Sequence, residues 1–408
     1  MFFFLLVLGL AAASDPRVAT WTRRMAPYDA AVARDAIDDV DTYVTPAQSA
    51  QRIHDIFIED RVPCRIVLLG RSAEGRDIVG IRFTAANATA PRPTVVYFGP
   101  VHGDEYAGAE LLARFVDHVH AHHASPAVQA MLDAADVVVV PHPNPDGFVS
   151  LRRGLADGAD MNRAFFPDRC GAAAPPGPER AEVAAAKRFF AETAPVAALF
   201  MHGGALVVSY PYDDECTKHG QKIAAAGPDA GLYVELATAY ARENAMMRAR
   251  LSVFPGHVVN GAQWYSAPAT LADWALANVS ALVVPLTVEL GRDKIPTRHA
   301  MDAEIWPANY PALLTWPLAL RRAVRGYVHD AEGRPIPGAI VSVMVGDGRL
   351  QGKAVTTGAD GSFYRPLAGG GWRVCASKPM YAGHCFEVAG AKRPQTTDLR
   401  FVLRPAGA

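Results

Sequence analysis

Between about residue 40 and residue 320, almost wholly apolar runs alternate with alanine-rich stretches of helical periodicity. A strand with one face in water alternates apolar and polar side chains, so runs without that alternation predict central strands covered on both faces. Four such runs are TVVYFG (94–99), DVVVVPH (136–142), VAALFMH (196–202) and ALVVPLTVEL (281–290). Helices are predicted between them, most clearly over 107–123 and 179–194. The pattern predicts an α/β fold, with a central, mostly buried mixed sheet flanked by helices.

After Arg321 the pattern changes to short β-rich segments separated by turns that contain glycine and proline. The segments are VRGYVHD, AIVSVMV, GSFYRPL, WRVCASK and DLRFVLR, and they carry no cluster of catalytic residue types. Because 408 residues exceed what one hydrophobic core usually supports, we expect two domains. The predicted boundaries are 40–321 for the α/β domain and 322–405 for a small all-β sandwich. We expect the β domain to support the larger one through a packed interface.

The chain opens with an apolar run, MFFFLLVLGLAAA, of the length and character of a secretory signal peptide. Residues 1–14 are predicted to be this signal, with cleavage near Ser14 or Asp15; a buried N-terminal strand or helix is the alternative. No later run reaches the roughly 18 apolar residues of a membrane span, so no transmembrane segment is predicted. The expected location is outside the cell or in the secretory lumen, and sequons at Asn87 and Asn278 fit a glycoprotein.

Charge and cysteine content narrow the function further. Lysine plus arginine (40) balances aspartate plus glutamate (41), which leaves no strong field for nucleic acid or an anionic membrane. The five cysteines lack CxxC spacing, which argues against a cysteine-zinc site and permits at most two disulfides. The predicted bridge joins Cys375 and Cys385, which flank a turn between two short strands, although connectivity stays open.

Histidine and glutamate residues stand where two of the central strands end. The first strand runs into GPVHGDEYAG, which places His102 and Glu105 three residues apart at a strand-to-helix junction. His202 ends another central run, in FMHGG, and functional groups of α/β sheets gather at the carboxyl ends of strands. Two imidazoles and one carboxylate fit a zinc site that keeps a position open for water. Taken singly, each histidine could instead be a surface or hydrogen-bonded core residue.

The motifs around these residues resemble those of a known enzyme family. HGDEYAGAELL, NPDGF, DMNRAFFPD, HGGALVVSYPYDD, NGAQWYS and TVELGRDKIP occur in the order found in zinc metallocarboxypeptidases, in particular the carboxypeptidase N/E (regulatory) branch. The β domain resembles the transthyretin-like domain that follows the enzyme in that branch, so the resemblance extends from about residue 40 to 403. It implies a hydrolase with one Zn²⁺ per chain that removes C-terminal residues from peptides or proteins.

The resemblance also implies roles for individual residues. His102, Glu105 and His202 would hold the zinc ion, which polarises the scissile carbonyl and activates water. Glu289, at the end of the run 281–290, would be the general base; a structural ion pair is the alternative reading.

A guanidinium beside an amide donor is well suited to recognise a free C-terminal carboxylate. Asn162 and Arg163, in DMNR, match the family residues that bind it. Arg153 matches the arginine that stabilises the oxyanion, whereas its neighbour Arg152 could be a solvated surface charge. Tyr265, in QWYS, matches the tyrosine that closes over bound substrate, with ordinary aromatic packing as the alternative.

Asp213, in YPYDD, falls where the branch places an acidic residue in the side-chain pocket, which favours C-terminal arginine or lysine. Two departures put this preference in doubt. Ala272 stands where the branch carries glutamine, and AFFPD has two phenylalanines where the branch has one, so the loop after Arg163 could be displaced by a residue. A carboxypeptidase of non-basic specificity therefore remains an alternative.

Four histidines near residue 120 are predicted to be the solvated end of a helix, without a carboxylate partner or a second metal: His118, His120, His122 and His123.

Other readings stay open at this stage. A catalytically inactive peptide-binding relative would keep the scaffold, but here every expected catalytic position is filled. A zinc amidohydrolase acting on small acylated amino acids, or a cytosolic carboxypeptidase trimming acidic tails, is opposed by the leader, the β domain and Asp213. The oligomeric state is left open.

Overall fold

The computed structural model describes residues 42–86, 91–216, 224–279, 282–345, 348–390 and 394–407. The predicted signal peptide and the sequon at Asn87 lie outside these residues. Asn278 is exposed, but Ser280 of its sequon is also outside them, so glycosylation remains a prediction. Within the described ranges, no helix is long and apolar enough to cross a membrane.

The larger part of the molecule is built on an eight-stranded mixed sheet of order β1-β2-β4-β3-β5-β8-β6-β7. Strands β4, β3, β5 and β8 are parallel neighbours in the middle of the sheet, while β1, β2 and β6 run antiparallel to a neighbour. The strands are β1 (Cys64–Arg71), β2 (Asp77–Phe83), β3 (Thr94–Phe98), β4 (Asp136–Val140), β5 (Ala197–His202), β6 (Ala205–Tyr210), β7 (Val258–Asn260) and β8 (Val284–Gly291). The four apolar runs of the sequence are thus the four central strands, as predicted.

Helices cover both faces of this sheet. Along β3, Val95 and Tyr97 belong to one apolar core, and Val96 and Phe98 belong to the other. This explains why the strand shows no polar alternation. The helices are α1 (Pro46–Glu59), α2 (Tyr106–Ala121), α3 (Pro126–Ala134), α4 (Pro145–Val149), α5 (Ala181–Thr193), α6 (Ala230–Glu243), α7 (Ala245–Ala249), α8 (Gly261–Trp264), α9 (Leu271–Asn278), α10 (Arg298–Ala300) and α11 (Trp306–Ala319), with a π-helical turn over Met301–Ile305. Helices α2 and α5 confirm the two predicted from the sequence.

The histidine-rich end of α2 differs from the prediction. His120 is buried, and its Nε2 lies 3.3 Å from a carboxylate oxygen of Glu59 at the end of α1. His118 packs its ring against Tyr310 of α11. The prediction of a solvated end without a carboxylate partner is therefore wrong for His120, because α1 lies across this end of α2 and no local pattern shows that contact.

The C-terminal part is a β domain whose first strand begins at Ala323. One sheet has the order β11-β10-β13-β15, a second has β12-β9-β16, and β14 pairs with β17. The strands are β9 (Ala323–His329), β10 (Ile340–Met344), β11 (Val355–Thr356), β12 (Ser362–Pro366), β13 (Trp372–Ser377), β14 (Tyr381–Ala382), β15 (His384–Val388), β16 (Thr396–Val402) and β17 (Arg404–Pro405). A continuous apolar cluster joins this domain to the helices over the sheet, so the two parts share a core.

The structure contains the predicted disulfide and a second one that was not predicted. The predicted disulfide Cys375–Cys385 joins directly opposed residues of β13 and β15. A second disulfide, Cys170–Cys216, links two loops of the larger domain, and Cys64 is free.

Candidate metal centre and substrate pocket

Three potential metal ligands meet at the carboxyl ends of the neighbouring parallel strands β3 and β5. His102 lies in the turn after β3, Glu105 immediately precedes α2, and His202 is the last residue of β5. Their ligand atoms lie within 4.8 Å of one another, and all three side chains are buried. Nδ1 of His102 is 2.8 Å from one Glu105 oxygen, and Nδ1 of His202 is 3.0 Å from the other. Two imidazoles and one carboxylate that converge in this way suit a zinc ion.

The main chain around the cluster leaves little room. A Cβ atom at Gly103 would lie 2.1 Å from the carbonyl carbon of Gly147, so only glycine allows the turn between His102 and Glu105 to approach α4. The amide of Gly203 donates to Glu105 at 3.1 Å. These contacts hold the glutamate carboxylate in one orientation.

Asp160 is a site residue that the sequence analysis missed. Its carboxylate lies 3.2 Å from Nε2 of His102 and accepts hydrogen bonds from Arg153 at 2.9 and 3.1 Å. Burial alone would raise the pKa of Asp160, but the hydrogen bond to His102 and the nearby arginines hold that pKa well below its usual range. A carboxylate on the far nitrogen of a metal-binding histidine fixes the ring's tautomer and orientation. The sequence signal for Asp160 was its position in DMNR, two residues before Asn162.

Glu289 lies on β8 directly beside His202 of β5. The side chain is buried, and no hydrogen bond to its Oε2 atom is found among the described residues. Burial and the charge of Glu105 raise the pKa of Glu289 to about 7. The alternative of a structural ion pair has no support, since the described part of the chain offers no ion-pair partner within 4.0 Å of Glu289.

The residues predicted to bind a C-terminal carboxylate lie on a tight turn over Met161–Arg163. The amide of Asn162 donates to Asp160 at 2.8 Å, which ties this turn to the metal cluster. The side-chain oxygen of Asn162 accepts the Leu271 amide at 3.0 Å, so its NH₂ group is the part left for a ligand. Arg163 donates to the Asn162 carbonyl at 2.7 Å.

Asp213 lies in the loop after β6 and is partly exposed. The amides of Asp213 and Asp214 donate to the Asp273 carboxylate at 2.9 and 3.0 Å. A Cβ atom at Gly261 would lie 2.1 Å from an Asp213 oxygen, so glycine makes room for this carboxylate. Burial raises the pKa of Asp213, and the charge of Arg163 acts in the opposite direction.

Ala272 and Tyr265 complete the residues predicted from the sequence. Ala272 is buried in the apolar core on one face of the sheet and offers no polar contact. Tyr265 follows α8, is 45% exposed, and contacts the Trp264 ring edge-on at 4.9 Å. Exposure fits a side chain that moves, while the ring contact fits ordinary packing, so its role remains a prediction.

The disulfide Cys170–Cys216 joins the loop after Arg163 to the loop that carries Asp213. If these two loops bind substrate, as the sequence predicts, replacing both cysteines by serine is expected to raise KM for a peptide about tenfold, because the loops lose their covalent tie. The matched control replaces Cys375 and Cys385, whose disulfide lies within the β domain. Steady-state kinetics of both variants and the wild type provide the check. A KM of the first variant equal to that of the control variant would contradict the expectation.

Comparison with known proteins gives the family. The family model described as zinc carboxypeptidase matches residues 58–308. The chain belongs to the zinc carboxypeptidase family. Residues 323–404 match a second model, the carboxypeptidase regulatory-like domain. The chain is 31% identical to carboxypeptidase D of Anas platyrhynchos over 78% of its own length and 23% of that protein. It is 29% identical to carboxypeptidase Z of Rattus norvegicus over 83% of the chain and 57% of that protein. The chain thus spans less than two thirds of these relatives' length.

Solved structures support the same fold. Thrombin activatable fibrinolysis inhibitor superposes with a TM-score of 0.56 at 15% identity, over 67% of this chain and 73% of that one. The bovine protein in complex with tick carboxypeptidase inhibitor gives a TM-score of 0.55 at 15% identity, over 67% and 96%. At this identity the likeness concerns the fold alone.

Proposed function

We propose that the chain is a zinc-dependent exopeptidase that hydrolyses the C-terminal peptide bond of peptides or proteins, with a preference for C-terminal arginine or lysine. The observation that carries the proposal is the buried cluster of His102, Glu105 and His202 with Glu289 beside it, whose Oε2 atom has no hydrogen-bond partner among the described residues. A buried carboxylate oxygen without such a partner, next to a metal-ligand set, fits a general base rather than a structural residue.

The residues of the cluster divide the chemistry among them. One zinc ion per chain, held by the three ligands, would supply Lewis-acid polarisation of the scissile carbonyl and a more acidic water. Glu289 takes a proton from water as the water oxygen attacks the carbonyl carbon, and it delivers that proton to the amine as the C–N bond breaks. The Arg153 guanidinium, oriented by Asp160, stabilises the charge that develops on the carbonyl oxygen.

Exopeptidase selectivity is assigned to the turn beside the cluster. Arg163 offers a fork of N–H donors and Asn162 offers its NH₂ group, a combination suited to a free carboxylate. The half-exposed Tyr265 would close over the bound residue and exclude water. A peptide bond inside a longer chain has no free carboxylate next to it. Asn162 and Arg163 would therefore not bind it beside the metal cluster.

Asp213 is proposed to select a cationic side chain. Replacing Asp213 by alanine is expected to lower kcat/KM for a peptide ending in arginine about 100-fold, because a buried cation would lose its counter-charge. The same substitution leaves the value for a peptide ending in leucine within about threefold. Kinetics on the two peptides test this, and an equal loss on both would show that Asp213 shapes the fold of the loop instead.

The proposed activity is tested by incubating the protein with matched peptides that end in arginine, lysine, leucine or glutamate. Release of arginine or lysine that a zinc chelator abolishes and added zinc restores would support the proposal. Release of leucine alone would mean a non-basic carboxypeptidase, and preference for glutamate over lysine would favour a tail-trimming enzyme. No release with full metal content would favour the inactive peptide-binding relative.

The location proposed is the secretory lumen or the outside of the cell. The leader-like residues 1–14 carry this proposal, and the two disulfides agree with an oxidising compartment. Expression in a secreting cell, followed by N-terminal sequencing of protein from the medium, should give a chain that starts near Ser14 or Asp15. Secreted protein that still carries residues 1–14 would contradict the proposed signal cleavage.

A further inference from the structure

Helix α9 connects the substrate pocket to the β domain. At its first turn, the Leu271 amide donates to Asn162, and the Asp273 carboxylate accepts the amides of Asp213 and Asp214. The start of α9 therefore holds both the residue proposed to bind the substrate carboxylate and the loop proposed to bind its side chain. A shift of this short helix along its axis would move both.

The other end of α9 is held by a lysine of the β domain. Nζ of Lys353 donates to the carbonyls of Leu276 and Val279 at 3.2 and 2.8 Å. Carbonyls at the end of a helix lack partners within it, and an ammonium group is favourable there. With eight residues, α9 is only about 12 Å long. The lysine contact and the pocket contacts therefore act on one short rigid element.

Lys353 is itself fixed in place by buried polar contacts. Its amide donates to Asp229 at 2.8 Å, and the second Asp229 oxygen accepts Arg365 at 2.6 Å. Gly352 has a φ of +69°, and a Cβ atom there would lie 1.9 Å from an Asp229 oxygen. Only glycine at position 352 lets the segment that carries Lys353 lie this close to Asp229, and the resulting contacts give α9 a support outside its own domain.

We infer that Lys353 is a positioning residue for the substrate pocket: through α9, this lysine of the β domain sets the position of Asn162 and of the Asp213 loop. The inference rests on the proposed function because it assigns substrate binding to that pocket. It means that the β domain affects substrate affinity through the contact between Lys353 and the end of α9.

The test compares Lys353→Met, which keeps the side-chain stem, with Lys353→Arg, which keeps donors for the same carbonyls. The control is Lys378→Met, since Lys378 also donates to two backbone carbonyls, those of Pro337 and Gly338, but within the β domain. We expect Lys353→Met to raise KM for a peptide ending in arginine about fivefold with kcat within about twofold, and Lys353→Arg to restore KM. A merely structural role would lower the active fraction, and hence kcat, without changing KM.

A second measurement does not depend on activity. Hydrogen–deuterium exchange of the amides in 212–216 and 271–273, remote from Lys353 in sequence, should be at least about threefold faster in Lys353→Met than in wild type. Lys378→Met should leave these rates unchanged. Unchanged exchange in Lys353→Met would overturn the inference. Faster exchange in a protein that cleaves no peptide would uphold the coupling and reject the proposed function.

Discussion

Peptide hydrolysis is expected to fall about 10³-fold in kcat when Glu289 is replaced by glutamine. Glutamine keeps the shape of the side chain but cannot take a proton from water at neutral pH. Glu289 lies beside His202 across the β5–β8 pair, and no ion pair holds it in the described residues. The substitution should therefore leave the fold intact, and KM should change little, because the carboxylate acts on the reacting water rather than on the bound peptide.

The measurement is steady-state kinetics on a peptide ending in arginine, with the zinc content of each protein determined alongside. Glu182→Gln is the matched control, because Glu182 of α5 is also buried, but its carboxylate accepts the Ala73 amide and does not belong to the metal-ligand cluster. It should keep kcat within about twofold. If Glu289→Gln retained a tenth or more of the activity at full zinc content, Glu289 would not be the base.

The central sheet could be predicted because its signal is local. Each of the runs that became β3, β4, β5 and β8 is apolar on both faces, and burial on both faces is what the structure shows. The order of the strands could not be predicted from periodicity, because it depends on which strands pair across long connections. The site depends on that order, since His102 and His202 meet only because β3 and β5 are neighbours.

Residues that act through tertiary contacts escaped the sequence analysis. Asp160 contacts His102 from a turn 58 residues further along, and its place two residues before Asn162 in DMNR was the one sequence signal for it. The burial of His120 was missed for the same reason, because Glu59 belongs to a helix that precedes the sheet. Motif resemblance, in contrast, identified the candidates for the metal ligands and the base.

Contacts across the two domains were the least predictable feature. The change of pattern after Arg321 indicated where one kind of structure gives way to another, but it held no information on their interface. Asp229, at the start of α6, and Arg365, on β12, are 136 residues apart and pair at 2.6 Å. Each would be classed from sequence as an ordinary surface charge, because charged residues are rarely fully buried unless they are paired.

Removal of the Arg365 side chain is expected to destabilise the protein strongly. The side chains of Arg365 and Asp229 are only 1% and 3% exposed. Arg365→Met would leave the Asp229 carboxylate buried without its counter-charge, and breaking a buried pair on one side costs about 3–5 kcal/mol in the free energy of unfolding. Lys353 keeps its hydrogen bond to Asp229 in this variant but supplies only a backbone amide. Urea denaturation, with the linear extrapolation to water, measures the change.

A surface pair of the same domain provides the control for this effect. Arg325 pairs with Asp398 at 2.6 Å, but these side chains are 25% and 67% exposed, so Arg325→Met should cost no more than about 1 kcal/mol. In the double variant Asp229→Asn with Arg365→Met no charge is left buried, and part of the loss should be recovered. If Arg365→Met cost no more than Arg325→Met, water would have to reach Asp229 at the interface. The β domain would then contribute to stability through its apolar contacts with the larger domain rather than through this ion pair.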